Sequence, residues 1–99
     1  MSSEFSQVSV FHNTAEQRFE VVRDNEVAFV SYSSEAGRVV FEHTYVPERF
    51  RGKGIAATLV RAALNEARKQ HWRIVPQCSY VAAFIQRNPE FADLVAGHQ

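Results

Sequence analysis

Residues 52–70, GKGIAATLVRAALNEARKQ, constrain this chain more than any other stretch. Ala56, Leu59, Val60, Ala63, Leu64 and Ala67 recur at three- and four-residue steps, with Arg61, Asn65, Arg68 and Lys69 opposite. That period predicts an amphipathic helix over 55–70 with one stripe to bury. Arg68, Lys69 and His71 stand where the negative end of its dipole favours cations. Directly before it, two of the chain's four glycines, Gly52 and Gly54, flank Lys53. Such a helix needs a surface to cover, and 99 residues leave room for one domain, 1–99, with one modest core.

Strands supply that surface. RFEVVRD (18–24), VAFVSYSS (27–34) and RVVFEHTYV (38–46) are β-like, and VSVFHN (8–13) adds a possible fourth strand. The links are short: Asn25-Glu26, and Glu35-Ala36-Gly37 with Gly37 suited to positive φ. Short links predict an antiparallel meander. Pro47, lacking an amide, ends the last strand. WRIVPQ (72–77) follows the helix and is predicted to run parallel to RVVFEHTYV through a right-handed crossover. SYVAAFIQRN (79–88) reads as a second helix stopped near Pro89, and EFADLVAGHQ as a short, partly apolar tail. The expected fold is α/β: strand meander, loop and helix, parallel strand, C-terminal helix.

Eleven basic and eleven acidic side chains leave no global field to draw the chain onto nucleic acid or membrane, so any anion site is local. A lone cysteine, Cys78, permits no internal disulfide and suits a reducing compartment. No apolar run is long enough to span a membrane, and MSSEFSQVSV lacks the pattern of a secretory signal. A cytoplasmic monomer is expected. No Cys, His and Asp spacing suggests a metal. His12, His71 and His98 read as surface residues.

The loop RFRGKG (49–54) invites an anion. Glycines opening a helix expose amides without intrahelical partners, which converge with the positive end of the dipole. Arg51 and Lys53 add charge at the rim. The alternative is a tight turn with solvated basic side chains. A Walker A loop is excluded, since one residue separates the glycines and Ile55 follows Gly54. Gly52-x-Gly54-x-x-Ala57 fits a dinucleotide fingerprint, but the acid expected about 20 residues on is replaced by Trp72-Arg73-Ile74-Val75.

Val46-Pro47-Glu48-Arg49-Phe50-Arg51-Gly52-Lys53-Gly54-Ile55-Ala56 resembles motif A of the GNAT acetyltransferase superfamily, Arg/Gln-x-x-Gly-x-Gly/Ala, with Arg49, Gly52 and Gly54 at its three positions. Three further landmarks are similar to its minimal single-domain YjdJ-like branch: His43-Thr44-Tyr45-Val46-Pro47, Pro76-Gln77-Cys78-Ser79-Tyr80 and Asn88-Pro89-Glu90-Phe91. They span residues 38–95. The resemblance implies a loop that grips the pyrophosphate of acetyl-CoA. It implies cofactor contacts from Tyr45, Val46, Arg51, Gly52, Lys53, Gly54, Ile55, Ala56, Phe84 and Arg87. The implied activity is acetyl transfer from acetyl-CoA to an unidentified amine, without a metal; the alternative is a coenzyme A or acyl-CoA binding module without turnover.

Acetylating a lysine-like amine requires its free base, present in about one molecule in 2,500 at pH 7, a cost of roughly 4–5 kcal/mol. A proton acceptor is therefore needed, with a route to reprotonate the leaving thiolate. Relatives place a glutamate on the strand before motif A; here that position is Val40, and regular alternation would turn Glu42 away from the face of His43. His43 and Cys78 are the catalytic candidates, His43 as base and Cys78 as acetyl acceptor or channel wall. Tyr80 is a candidate proton donor.

Overall fold

Two tight turns organise the sheet. In the computed structural model, which describes residues 8–97, Asp24 and Asn25 take φ of 54° and 66° between the paired residues Arg23 and Glu26. Positive φ at both central positions matches the twist of the flanking strands. The turn therefore lies one residue earlier than the expected Asn25-Glu26 link. Ala36 (φ 53°) and Gly37 (φ 78°) repeat the device between Glu35 and Arg38.

The strands are β1 (Phe11–Asn13), β2 (Arg18–Arg23), β3 (Glu26–Glu35), β4 (Arg38–Tyr45) and β5 (Arg73–Pro76), with α1 (Ile55–Gln70) and α2 (Ser79–Arg87) after β4 and β5. They form one sheet in chain order, antiparallel except for the parallel β4–β5 pair. This is the expected α/β arrangement, with the fourth strand cut to residues 11–13.

Phe19, Val21, Val30 and Phe41 from the sheet pack with Leu59, Leu64 and Ala67 of α1 and with Val81 and Phe84 of α2 in one core. Five of the six predicted stripe residues are buried; Ala56, at the first turn, is half-buried. No described helix covers the other sheet face. Cross-strand pairing there lines up Phe11, Glu20, Phe29 and Tyr45. No helix among the described residues is long and apolar enough to cross a membrane.

β4 is irregular. Ser31 pairs with His43, but Tyr32 pairs with Phe41, so Glu42 is an extra residue in the ladder. Ser33 donates from its hydroxyl to Glu42 Oε2 at 2.9 Å. Ser31 and Ser33 alternate with the core residues Val30 and Tyr32, so Glu42 and His43 both lie on the helix-free face. A bulge places two successive residues against one partner, which overturns the expectation that Glu42 and His43 face apart.

The tail does more than its composition suggests. After a 3₁₀ segment, Pro89–Leu94, Val95 bridges to Ile74 and the Ala96 amide donates to the Ile74 carbonyl at 2.8 Å. Arg73 donates to the carbonyls of Asp93 and Val95. The outer edge of β5 is thus covered.

His12 is not the partnerless surface residue expected. Its ring stacks on Phe19 (centroids 4.1 Å apart, 11° between planes) and its Nε2 lies 2.7 Å from the Tyr32 hydroxyl. Burial, and then the charge of Glu66, push the Tyr32 phenol above its ordinary pKa. His71 caps α1 in the left-handed region and is exposed. His98 lies outside the described residues.

Candidate functional site

β4 and β5 pair as far as Phe41 and Pro76, and the Cys78 amide then donates to the Phe41 carbonyl at 2.9 Å. Beyond that bond the strands part: β4 continues to Tyr45, while the segment after β5 turns at Gln77 into α2. Across the opening, Thr44 Oγ1 and Cys78 Sγ are 3.3 Å apart. Cys78 is the N-cap residue of α2. Burial pushes its thiol pKa up, but the Thr44 hydroxyl, the Val81 and Tyr80 amides and the Thr44 backbone outweigh this and hold it below the ordinary value. The two helix amides act without a full hydrogen bond to the cap side chain. A thiol at a helix N-terminus is stabilised as thiolate.

Next to this opening lies a cleft of about 230 Å³, lined by Val46, Phe50, Arg51, Gly52, Gly54, Ile55, Ala56 and Tyr80. Gly52 and Gly54 each hold φ +77°, and a β-carbon on either would meet no atom within 4 Å. Glycine is therefore favoured here by backbone angle, and its missing side chain leaves open space. Thr58 makes the first amide bond of α1, to the Gly54 carbonyl at 3.1 Å, so the preceding amides have no intrahelical acceptor. Arg51 Nε donates to the Val46 carbonyl at 3.1 Å, which fixes its guanidinium at the mouth. Among the described residues, no acidic side chain lines the cleft.

The cleft thus gathers Val46, Arg51, Gly52, Gly54, Ile55, Ala56 and Tyr80 from the sequence candidates. Tyr45 lies on the helix-free face against Phe29, with ring centroids 5.7 Å apart. Lys53 and Arg87 are exposed and outside the cleft lining. Phe84 is core, 4% exposed, against Phe91. Arg49 is drawn away to Asp24 at 2.8 Å and Glu26 at 3.4 Å. His43 is exposed and pairs with Ser31 on the helix-free face. Thr44 and Phe50 were missed. Phe50 is fully buried under the loop, and Thr44 matters only because β5 ends opposite it. Among the described residues, no group of His, Cys, Asp or Glu is placed to hold a metal ion.

A family model for the GCN5-related N-acetyl-transferase family matches residues 18–94, from β2 to the end of the 3₁₀ segment. The chain belongs to the GCN5-related N-acetyltransferase family. Its similar relatives include the protein NATD1 of Bos taurus, 32% identical over 85 residues, which are 83% of this chain and 75% of the relative. NATD1 of Xenopus tropicalis is 30% identical over 88 residues, covering 85% and 80%. Among solved structures, a GCN5-like candidate N-acetyltransferase from Staphylococcus aureus superposes with a TM-score of 0.72 at 22% identity, over 95% of this chain and 93% of that one. At that identity the likeness speaks for the fold.

Proposed function

We propose that this GCN5-related N-acetyltransferase moves an acetyl group from acetyl-CoA to an amine. The observation that carries the reading is the glycine cleft: amides without an intrahelical acceptor, positive φ at two glycines, a guanidinium at the mouth and no acid among the described residues of the wall suit a diphosphate. At about 230 Å³ the cleft falls below the range usual for a whole small ligand. It suits the diphosphate and the chain beside it, the remainder lying along the surface.

Acetyl-CoA, when bound, supplies the activated thioester. Gly52, Gly54 and the first amides of α1 hold its phosphates, with Arg51 neutralising charge at the rim. Val46, Ile55 and Ala56 exclude water along the chain. Cys78, whose thiol is held below its ordinary pKa, is placed to take the acetyl group as a thioester in exchange for the coenzyme thiolate, and Tyr80 at the cleft wall would give that thiolate its proton. An amine then attacks the Cys78 thioester and the Cys78 thiolate is released. His43, on the helix-free face, is placed to take the proton that the amine gives up.

Acetyl release onto amines above the uncatalysed rate, lost in Cys78→Ala and slowed in His43→Ala, is expected. Full activity in both variants would sink this chemistry while leaving the cofactor site intact. The exposure of His43 on the helix-free face favours one other reading, a coenzyme A binding module without turnover, which the same assay would reveal as binding without release. The free thiol that this chemistry needs fits a cytoplasmic protein.

A further inference from the structure

A second groove opens on the helix-free face of the sheet. Val40 and Val75, partners across the parallel pair, form its floor; Glu35, Ala36, Arg38 and Gln77 form its walls, around about 310 Å³. Neither valine belongs to the core under the helices. Val40 is nevertheless only 5% exposed, so this face carries a shielded apolar floor. Gln77 ends the groove where β4 and β5 part, next to Cys78.

The bulge turns Glu42 onto the same face, just outside the groove's lining. Its carboxylate accepts from Ser33, and Ser33 is the β3 partner of Val40, so the charge flanks the floor. Glu35 and Arg38, paired across the turn, set one charge of each sign at the far end. Counting Glu42, the groove's own residues carry one net negative charge, and Arg73, partner of Arg38 across the parallel pair, is held by the carbonyls of Asp93 and Val95. His43 shares this face and adds positive charge only when protonated. On the opposite face the core and the glycine cleft occupy the approach to the opening.

We propose that this groove receives the acetyl acceptor, an aliphatic primary amine whose methylenes lie on Val40 and Val75 and whose ammonium end is held by Glu42 beside Gln77. The inference rests on the acetyltransferase reading of the glycine cleft. Residues 38–41 of β4 extend roughly 10 Å at strand rise, the reach of a short alkyl amine. The volume lies within the range of small-molecule sites.

The test is a titration of isotope-labelled protein with 1,5-diaminopentane, followed by amide chemical shifts, with and without coenzyme A, and with 1-pentanol as the uncharged control. Shifts confined to Val40, Glu42, Val75 and Gln77 are expected, weaker by about tenfold in affinity for Glu42→Gln and absent for Gln77→Trp, which fills an exposed wall. 1-Pentanol should bind less than the diamine. No shifts in either condition, shifts centred instead on the row of Phe11 and Tyr45, or unchanged affinity in Glu42→Gln would overturn the groove. Acetyl-CoA binding is read separately on the same samples. Its loss in the wild type would sink the acetyltransferase reading, whereas its presence without diamine shifts would sink the groove alone.

Discussion

At the scale of single residues, the site is a matter of small displacements. Thr44 and Cys78 face each other only because the parallel pair stops at Phe41 and Pro76. Burial raises the Cys78 thiol and the Thr44 hydroxyl helps to lower it, so Thr44→Val removes a lowering influence and leaves the burial. The expected outcome is a pH profile of Cys78 alkylation shifted to higher pH, with less thiolate at any pH below the midpoint; an unmoved profile would show that the hydroxyl does not stabilise the thiolate. Gly52 and Gly54 stood out by their placement before a helix, and both hold positive φ. Thr44 was not legible, since its importance depends on where another strand ends. Arg49 fits the motif by spacing, yet Asp24 and Glu26 hold it elsewhere. A spacing rule does not register acids from a distant turn.

At the scale of elements, periodicity made α1 plain, because a sixteen-residue helix repeats its stripe several times. The hairpins were legible to within a residue. Ala36 occupies the left-handed region that a β-carbon disfavours, at φ 53°. Ala36→Asn, giving the favoured Asn-Gly turn, should stabilise by about 1 kcal/mol and raise the Tm by roughly 4–8 °C; a fall in Tm would contradict the turn geometry. The bulge was not legible, because register is a relation between two strands. With Glu42 removed, Phe41, His43 and Thr44 would still alternate in, out and in against Tyr32, Ser31 and Val30. A Glu42 deletion is therefore expected to fold, with a Tm within roughly 8 °C of the parent, and to lose diamine binding. An unfolded deletion variant by circular dichroism would show that the bulge is required by the fold.

At the scale of the whole molecule, both helices cover one sheet face and the tail closes the β5 edge. The tail escaped sequence reasoning because a 3₁₀ segment and a single bridge leave no period to detect. Leu94, 6% exposed in the shared core, anchors it. Leu94→Ala should cost about 2–5 kcal/mol, a large part of the roughly 5–15 kcal/mol that holds a domain folded; denaturant melts showing under about 0.5 kcal/mol would mean the tail is not integral. Across these scales the central claim is that the glycine cleft is an acetyl-CoA site. Calorimetric titration of acetyl-CoA, with NAD as control, into the parent, Gly52→Ala and Gly37→Ala tests it most directly. Gly37 has nearly the same φ, +78° against +77°, and equally open surroundings, so both variants should lose about 1–2 kcal/mol of stability. Acetyl-CoA, and not NAD, should bind the parent and Gly37→Ala alike and bind Gly52→Ala more weakly. No binding to the parent, or equal binding to all three, would contradict the assignment of the cleft.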